Sequence, residues 1–276
     1  MNRIFIVVII SVMVFGCDTA SKTQKLADRG TSVEIPTQEN SIQAVLWQQH
    51  SAEYRALCEQ AYNFARLSLD AILDTSTADV SSLAIVTDLD ETVIDNSPMN
   101  AKMIELDEPY QRSRWIEWGD RVSAEAMPGA VEFFKYAASR GVVTYYISNR
   151  YGEQLDVTIE NLRKLDLPFV DKDHVMLRDE TSGSGKKSRR DVVEETHSII
   201  MLLGDNLSDF SEKFENQRSE RRHELVDSLR KEFGSRFIIL PNVIYGDWQT
   251  NGIYEGRYDW TEFQKDSIRR AKLISY

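Results

Sequence analysis

The sequence predicts an α/β fold built on a parallel, doubly wound sheet, and three observations carry that prediction. Short apolar runs of strand length alternate with stretches of helical periodicity along most of the chain. Polar, phosphate-competent residues stand directly behind three of those runs, where the crevice of an open α/β sheet takes its ligands. Beyond the N-terminal segments, residues 39–276 suffice for one domain with a small insertion and a sizeable core, and no internal repeat interrupts them.

In chain order, residues 1–16 place Asn2-Arg3 before the apolar stretch Ile4 to Phe15 and read as a signal peptide, too short to span a membrane as a mature helix. Val14-Phe15-Gly16-Cys17 is similar to a bacterial lipobox, so Cys17 is the expected lipidation site. Several acyl chains anchor stably, since each buried methylene contributes about 0.8 kcal/mol. The expected location is the bacterial cell envelope, with the outer membrane or cell surface favoured over the cytoplasm. Residues 17–38 are rich in Ser, Thr, Lys, Gln and Asp without apolar periodicity, and read as a flexible tether.

The domain opens with Trp47, Tyr54, Leu57, Ala61, Phe64 and Leu69 at helical spacing, which predicts one helix over residues 43–73 lying on the sheet. Leu83 to Thr87 is the first core strand. Pro98 to Met127 is aromatic and charged, with Trp115 and Trp118 in a predicted helix. Pro128 then introduces an amphipathic helix through Val131–Ala137 that Gly141 ends, feeding the strand Val142 to Ile147. Further helices are predicted over 153–165, 187–195 and 220–233, and strands over 175–177, 199–203 and 237–240.

Composition narrows the function. A net charge of −11 argues against a nucleic-acid polymer as partner, because such binding relies on basic surface. Small phosphate esters remain compatible through local cations. With Cys17 taken by lipid, Cys58 is the remaining cysteine, which excludes a structural disulfide within the chain. Its apolar helical neighbours predict a buried, inert thiol. His50, His174, His197 and His223 show no metal-ligand spacing, against histidine phosphatase chemistry, and Gly183-Ser184-Gly185-Lys186 lacks the glycine a P-loop would need at position 180.

The chemistry concentrates in Asp88-Leu89-Asp90-Glu91-Thr92, directly behind the first strand. Two carboxylates there repel, so one is neutralised unless a divalent cation or a lysine holds both ionised. An acidic turn capping a helix would account for an isolated pair. A second acidic turn, Gly204-Asp205-Asn206-Leu207-Ser208-Asp209-Phe210, follows the run Ile199 to Leu203, and Ser148-Asn149-Arg150 follows Val142 to Ile147. A metal-assisted aspartyl nucleophile is the reading these strand ends support together.

Taken together the motifs resemble those of the haloacid dehalogenase (HAD) superfamily, and within it the bacterial class C acid phosphatases with four signature aspartates, the lipoprotein e family. Asp88 to Thr92, continued by Asp95-Asn96-Ser97, matches the first signature, and Gly204 to Phe210 the second. Ser148-Asn149-Arg150 and Lys187-Ser188-Arg189-Arg190 are similar to the intermediate motifs. The resemblance implies a HAD-like three-layer sandwich with a central parallel sheet and a small helical cap inserted around 98–127. It implies Asp88 as nucleophile, Asp90 as acid and base, and Mg²⁺ held by Asp88, by Asp90 through its backbone carbonyl, and by Asp205, with Asp209 orienting the surrounding waters. Ser148 and Asn149 would donate hydrogen bonds to the phosphoryl oxygens, and Arg150, grouped with them at the substrate, would add charge there or support the loop. Lys187 would neutralise nucleophile and phosphate; Lys186 competes, and spacing to Asp205 does not separate the two.

Tyr245, after Pro241-Asn242, matches the place of an aromatic that faces the leaving group in relatives. The implied activity is Mg²⁺-dependent hydrolysis of nucleoside 5′-monophosphates and other small esters through an aspartyl-phosphate, with a homodimer compatible. A broad acid phosphatase, a phosphotransferase and a non-catalytic adhesion lipoprotein are the rival readings. Thr87, Ile94 and Met99 depart from the family pattern; Met99, where an aromatic is common, bears on substrate preference.

Overall fold

The computed structural model describes residues 38–179 and 183–276. The expected signal peptide, Cys17 and all but the last residue of the expected tether lie outside the described residues.

Where one helix was expected over 43–73 there are two, α1 (Ile42–His50) and α2 (Ala52–Thr75). Ser51 makes the break: its backbone is extended and its hydroxyl accepts the Tyr54 amide at 3.0 Å, an N-cap that starts a new helix. The buried stripe of α2 runs through Tyr54, Cys58, Ala61, Tyr62, Ala65 and Leu69, whereas Leu57 and Phe64, expected within it, face outward. Cys58 is a free, fully buried thiol, as its neighbours predicted.

The chain continues through β1 (Leu83–Thr87), β2 (Ile94–Asp95), α3 (Ser97–Leu106), α4 (Arg112–Asp120), β3 (Glu125–Ala126) and α5 (Ala130–Ser139). Strand β2 pairs antiparallel with β3 and brackets the two helices, which occupy the stretch expected to carry the helical insertion. Then follow β4 (Val143–Tyr151), α6 (Leu155–Lys164), β5 (Val175–Arg178), α7 (Lys187–Glu194), β6 (Ser198–Gly204), α8 (Ser219–Ser228), β7 (Phe237–Ile239) and α9 (Glu262–Ala271). Helix α8 stops five residues before the expected end at 233, because Phe233 turns back to bridge Phe237 and packs edge-on against Phe210 and Phe237.

Five strands form one parallel sheet in the order β5-β4-β1-β6-β7. Side chains alternate across it with the two-residue period of a strand. Leu83 and Ile85 of β1 pack into the cluster with α2 and α5, while Ala84 and Val86 pack on the opposite face with Val193 of α7 and Phe210. The result is a three-layer helix–sheet–helix architecture. From β1 the chain winds outward through β4 and β5, then returns to β6 on the other side of β1. The connections diverge at the central strand, so a ligand crevice is expected at its carboxyl end.

Candidate active site

Asp88 is the first residue after β1, and its amide donates to Leu203 O at 2.9 Å, which locks the turn to the end of β6. Asp205 follows β6, and Asp209 ends the short helical turn Leu207–Asp209. Asp209 sits against Gly204, where a Cβ would lie 2.5 Å from the Asp209 Cβ; only glycine lets the carboxylate turn back over the strand end. Oxygens of Asp88, Asp205 and Asp209 all lie within 4.8 Å of one another. Two acidic turns separated by more than a hundred residues thus converge.

Crowding and burial shift these groups. Burial pushes the Asp88 carboxyl up to about 7, against the pull of Lys186 and with the repulsion of Asp209 and Asp90. Burial, then Asp209 and Asp88, raise Asp205 well above the usual carboxylate range, and the Asn242 amide, 2.7 Å from its Oδ2, works against them. The cluster carries more negative charge than its surroundings neutralise. Three carboxylates and no nitrogen or sulfur ligand suit a hard divalent cation, so the residues present fit the divalent metal that HAD phosphatases use. Asp209 belongs to the carboxylate group itself; the Asp90 side chain does not, which leaves only its backbone for the expected metal contact.

Asp90 is held elsewhere. Its Oδ2 accepts from Ser148 Oγ at 3.0 Å, and its Oδ1 accepts from Arg150 Nε at 2.9 Å and Asn96 Nδ2 at 2.9 Å. Strand β4 runs on to Tyr151, so Ser148, Asn149 and Arg150 lie on the strand end rather than in a loop behind it. Ser148 and Arg150 are buried. Arg150 is committed to Asp90 and to Asn96 Oδ1, at 3.1 Å, rather than being free for a phosphoryl group. Asn149 faces solvent at the crevice, with its Oδ1 accepting from Arg189 at 2.7 Å.

The expected lysine requires correction. Lys187 is exposed and pairs with Asp191 one turn along α7, at 2.7 Å, where an ordinary surface ion pair holds it. Lys186, just before the helix, is the buried one: its Nζ contacts Asp88 Oδ1 and lies 2.7 Å from Asp209 Oδ1. Burial would lower the Lys186 pKa, but Asp209 and Asp88 outweigh it and hold the ammonium charged. The next two arginines brace the same strand ends. Arg189 donates to Ser148 O at 2.5 Å and Gly185 O at 3.2 Å, and Arg190 to Asp209 O at 3.0 Å. Glu91, Asn96, Arg189, Arg190 and Asn242 were not singled out as site residues from the sequence. Helical phase was the usable signal for Arg189 and Arg190, since α7 turns Lys186 and these two inward while Lys187 points out.

These groups line a cavity of about 650 Å³ that extends past Met99 and Trp115 to Tyr245 and Tyr254. Tyr245 is placed by a hydrogen bond from its hydroxyl to Glu91 and by its amide, which donates to Asn242 Oδ1 at 3.3 Å. Burial and the neighbouring Glu91 keep the phenol protonated far above its ordinary range.

Comparison with known proteins agrees with this geometry. Residues 17–248 match the family described as HAD superfamily, subfamily IIIB (Acid phosphatase). The class C acid phosphatase of Bacillus anthracis is 40% identical, with 88% of this chain and 100% of that one aligned at a TM-score of 0.82. The same enzyme with tungstate bound aligns over the same shares at 0.83. Among curated relatives, the stem 31 kDa glycoprotein of Glycine max is 24% identical over 161 residues, and the match spans 57% of this chain and 57% of that protein. With its parallel sheet, converging aspartates and buried lysine, the chain belongs to the acid phosphatases of HAD subfamily IIIB, a family of phosphate monoester hydrolases.

Proposed function

We propose that the protein is a metal-dependent phosphomonoesterase that acts on small phosphate esters, nucleoside 5′-monophosphates foremost, with Asp88 as nucleophile. One observation carries the reading: Asp88 stands at the end of the central strand between a buried ammonium and two further carboxylates, while Asp90 opens on the same cavity from a separate set of partners. That division suits the two tasks. Asp88 attacks phosphorus in line, the P–O bond to the leaving group breaks, and an aspartyl-phosphate forms that water later hydrolyses. Asp90 gives a proton to the departing oxygen and takes one from the attacking water, each transfer worth about 10²- to 10⁴-fold.

Lys186 neutralises charge on Asp88 and on the incoming phosphoryl group, and preorganised donors at such a group act where charge develops. Asp88, Asp205 and Asp209 would hold the cation, with Mg²⁺ the proposed species. Bound there, it would neutralise phosphoryl oxygens and help orient the ester. Tungstate, a tetrahedral oxyanion, is bound in the Bacillus anthracis relative named above, which supports an oxyanion site in this architecture. The preference for a nucleoside rests on cavity length and on Tyr245, whose ring offers a stacking face. Anchoring to the envelope through Cys17 is proposed from the lipobox-like segment alone.

Phosphate release from AMP, ribose 5-phosphate and p-nitrophenyl phosphate tests the proposal. Release is expected to stop with EDTA and return with Mg²⁺, and Tyr245→Ala to lower the ratio of AMP to ribose 5-phosphate turnover. Metal-independent release at the full rate would remove the metal-dependent mechanism.

A further inference from the structure

We infer that Glu91 and Asn96 act as positioning residues that tie the aromatic wall of the cavity to the carboxylate of Asp90. The inference rests on the phosphomonoesterase reading and adds two residues to it. Both side chains are fully buried, yet neither touches the cavity that the ester would occupy. Burying a carboxylate and an amide without partners is costly, so their hydrogen bonds must be accounted for one by one.

The account closes. Asn96 donates through its amide nitrogen Nδ2 to Asp90 Oδ1 at 2.9 Å and to Glu91 Oε2 at 3.3 Å. Its carbonyl oxygen Oδ1 accepts from Trp118 Nε1 at 2.8 Å and from Arg150 Nη2 at 3.1 Å. Two acceptors face its nitrogen and two donors face its oxygen, which leaves one orientation for the amide. Glu91 is filled in the same way. Oε1 accepts the Asn96 backbone amide at 3.0 Å, and Oε2 accepts both Asn96 Nδ2 and the hydroxyl of Tyr245.

Local backbone geometry holds Glu91 in place. It sits at φ 59°, in the left-handed region that a non-glycine residue occupies at some cost, and its amide donates to Ile94 O at 2.9 Å. That turn projects the carboxylate back beneath Asn96. The tyrosine that would face the leaving group and the acid that would protonate it therefore share one intermediary. Trp118 on α4 joins the same amide, so the inserted helices are tied to it as well. A satisfied buried network of this kind is rigid, and displacement of a member by about 1 Å can cost roughly 10²-fold in rate.

Glu91→Gln tests this with little change of shape, because the amide must turn a donor toward one of the donors that Glu91 now accepts. Leaving-group chemistry provides the readout. p-Nitrophenolate departs without help, whereas an alkoxide needs the proton from Asp90. Glu91→Gln and Asn96→Ala are expected to lower kcat/KM on AMP, which reports only the steps through departure of the leaving group, by about 10²-fold and to leave kcat/KM on p-nitrophenyl phosphate much less affected. Tyr245→Phe, which keeps the ring and removes the hydroxyl, should raise the KM for AMP, and combining it with Glu91→Gln should add nothing further to that KM. Equal losses on both esters, or additive KM effects, would overturn the coupling and leave the parent reading intact. A folded wild-type protein that releases phosphate from neither ester would instead refute the parent reading.

Discussion

Asp88 and Asp209 are close enough to share one ammonium, and Lys186 supplies it from the residue just before α7. Its neighbour Lys187 has equal charge and a different fate, since a single residue step, about 100° of helical rotation, decides which lysine is buried. Lys186→Met should abolish most turnover and, in metal-free protein, destabilise the fold by about 3 kcal/mol, because removal of one member leaves buried carboxylates without compensation. Lys187→Met should leave kcat within about twofold, as for most exposed ion pairs. Phosphate-release kinetics and urea denaturation check both, and the reverse ranking would restore Lys187 to the site. The two-lysine ambiguity shows what single residues in the sequence conceal. The family resemblance pointed to Lys187 with Lys186 as its competitor, but the phase of a helix whose start was unknown was needed to choose between them.

At the scale of elements, strand ends were the most legible part. An apolar run of four or five residues followed by Asp or Ser is both a hydrophobic and a polar signal, and β1, β4 and β6 were located by it to within a few residues. Helix ends were less legible. Ser51 divides α1 from α2 through a cap bond that the apolar stripe does not encode, and α9 was missed because its residues bury little apolar surface. The partners of Glu91 lay beyond reach as well, since Tyr245 is 154 positions away. The turn from β6 into Asp209 yields a sharp expectation. Gly204→Ala would place a methyl 2.5 and 2.7 Å from the Cβ and Cγ of Asp209 and force the carboxylate out of the cluster. Mg²⁺ affinity should fall about 10- to 100-fold, the loss typical when groups that orient a metal's ligands are disturbed. Isothermal titration with the metal reads this directly, and unchanged affinity would exclude Asp209 from holding the ion.

For the molecule as a whole, the site is a source of instability that changes with pH. Asp88, raised to about 7 from 3.8, keeps a proton in the metal-free fold that the unfolded chain has already lost. Between about pH 4 and pH 7 the folded state binds more protons, so this contribution is full at the acid end and is lost as pH rises. In EDTA, the wild type should lose more Tm across that range than Asp88→Asn does, and saturating Mg²⁺ should flatten the difference. Equal slopes for the two proteins would show that the Asp88 carboxyl is not raised by its surroundings. The buried, unpaired Cys58 bears on where such a molecule can mature. With Cys58 the one cysteine among the described residues and enclosed within α2, the domain has no internal sulfur bridge to forge, and its structure is expected to survive dithiothreitol unchanged.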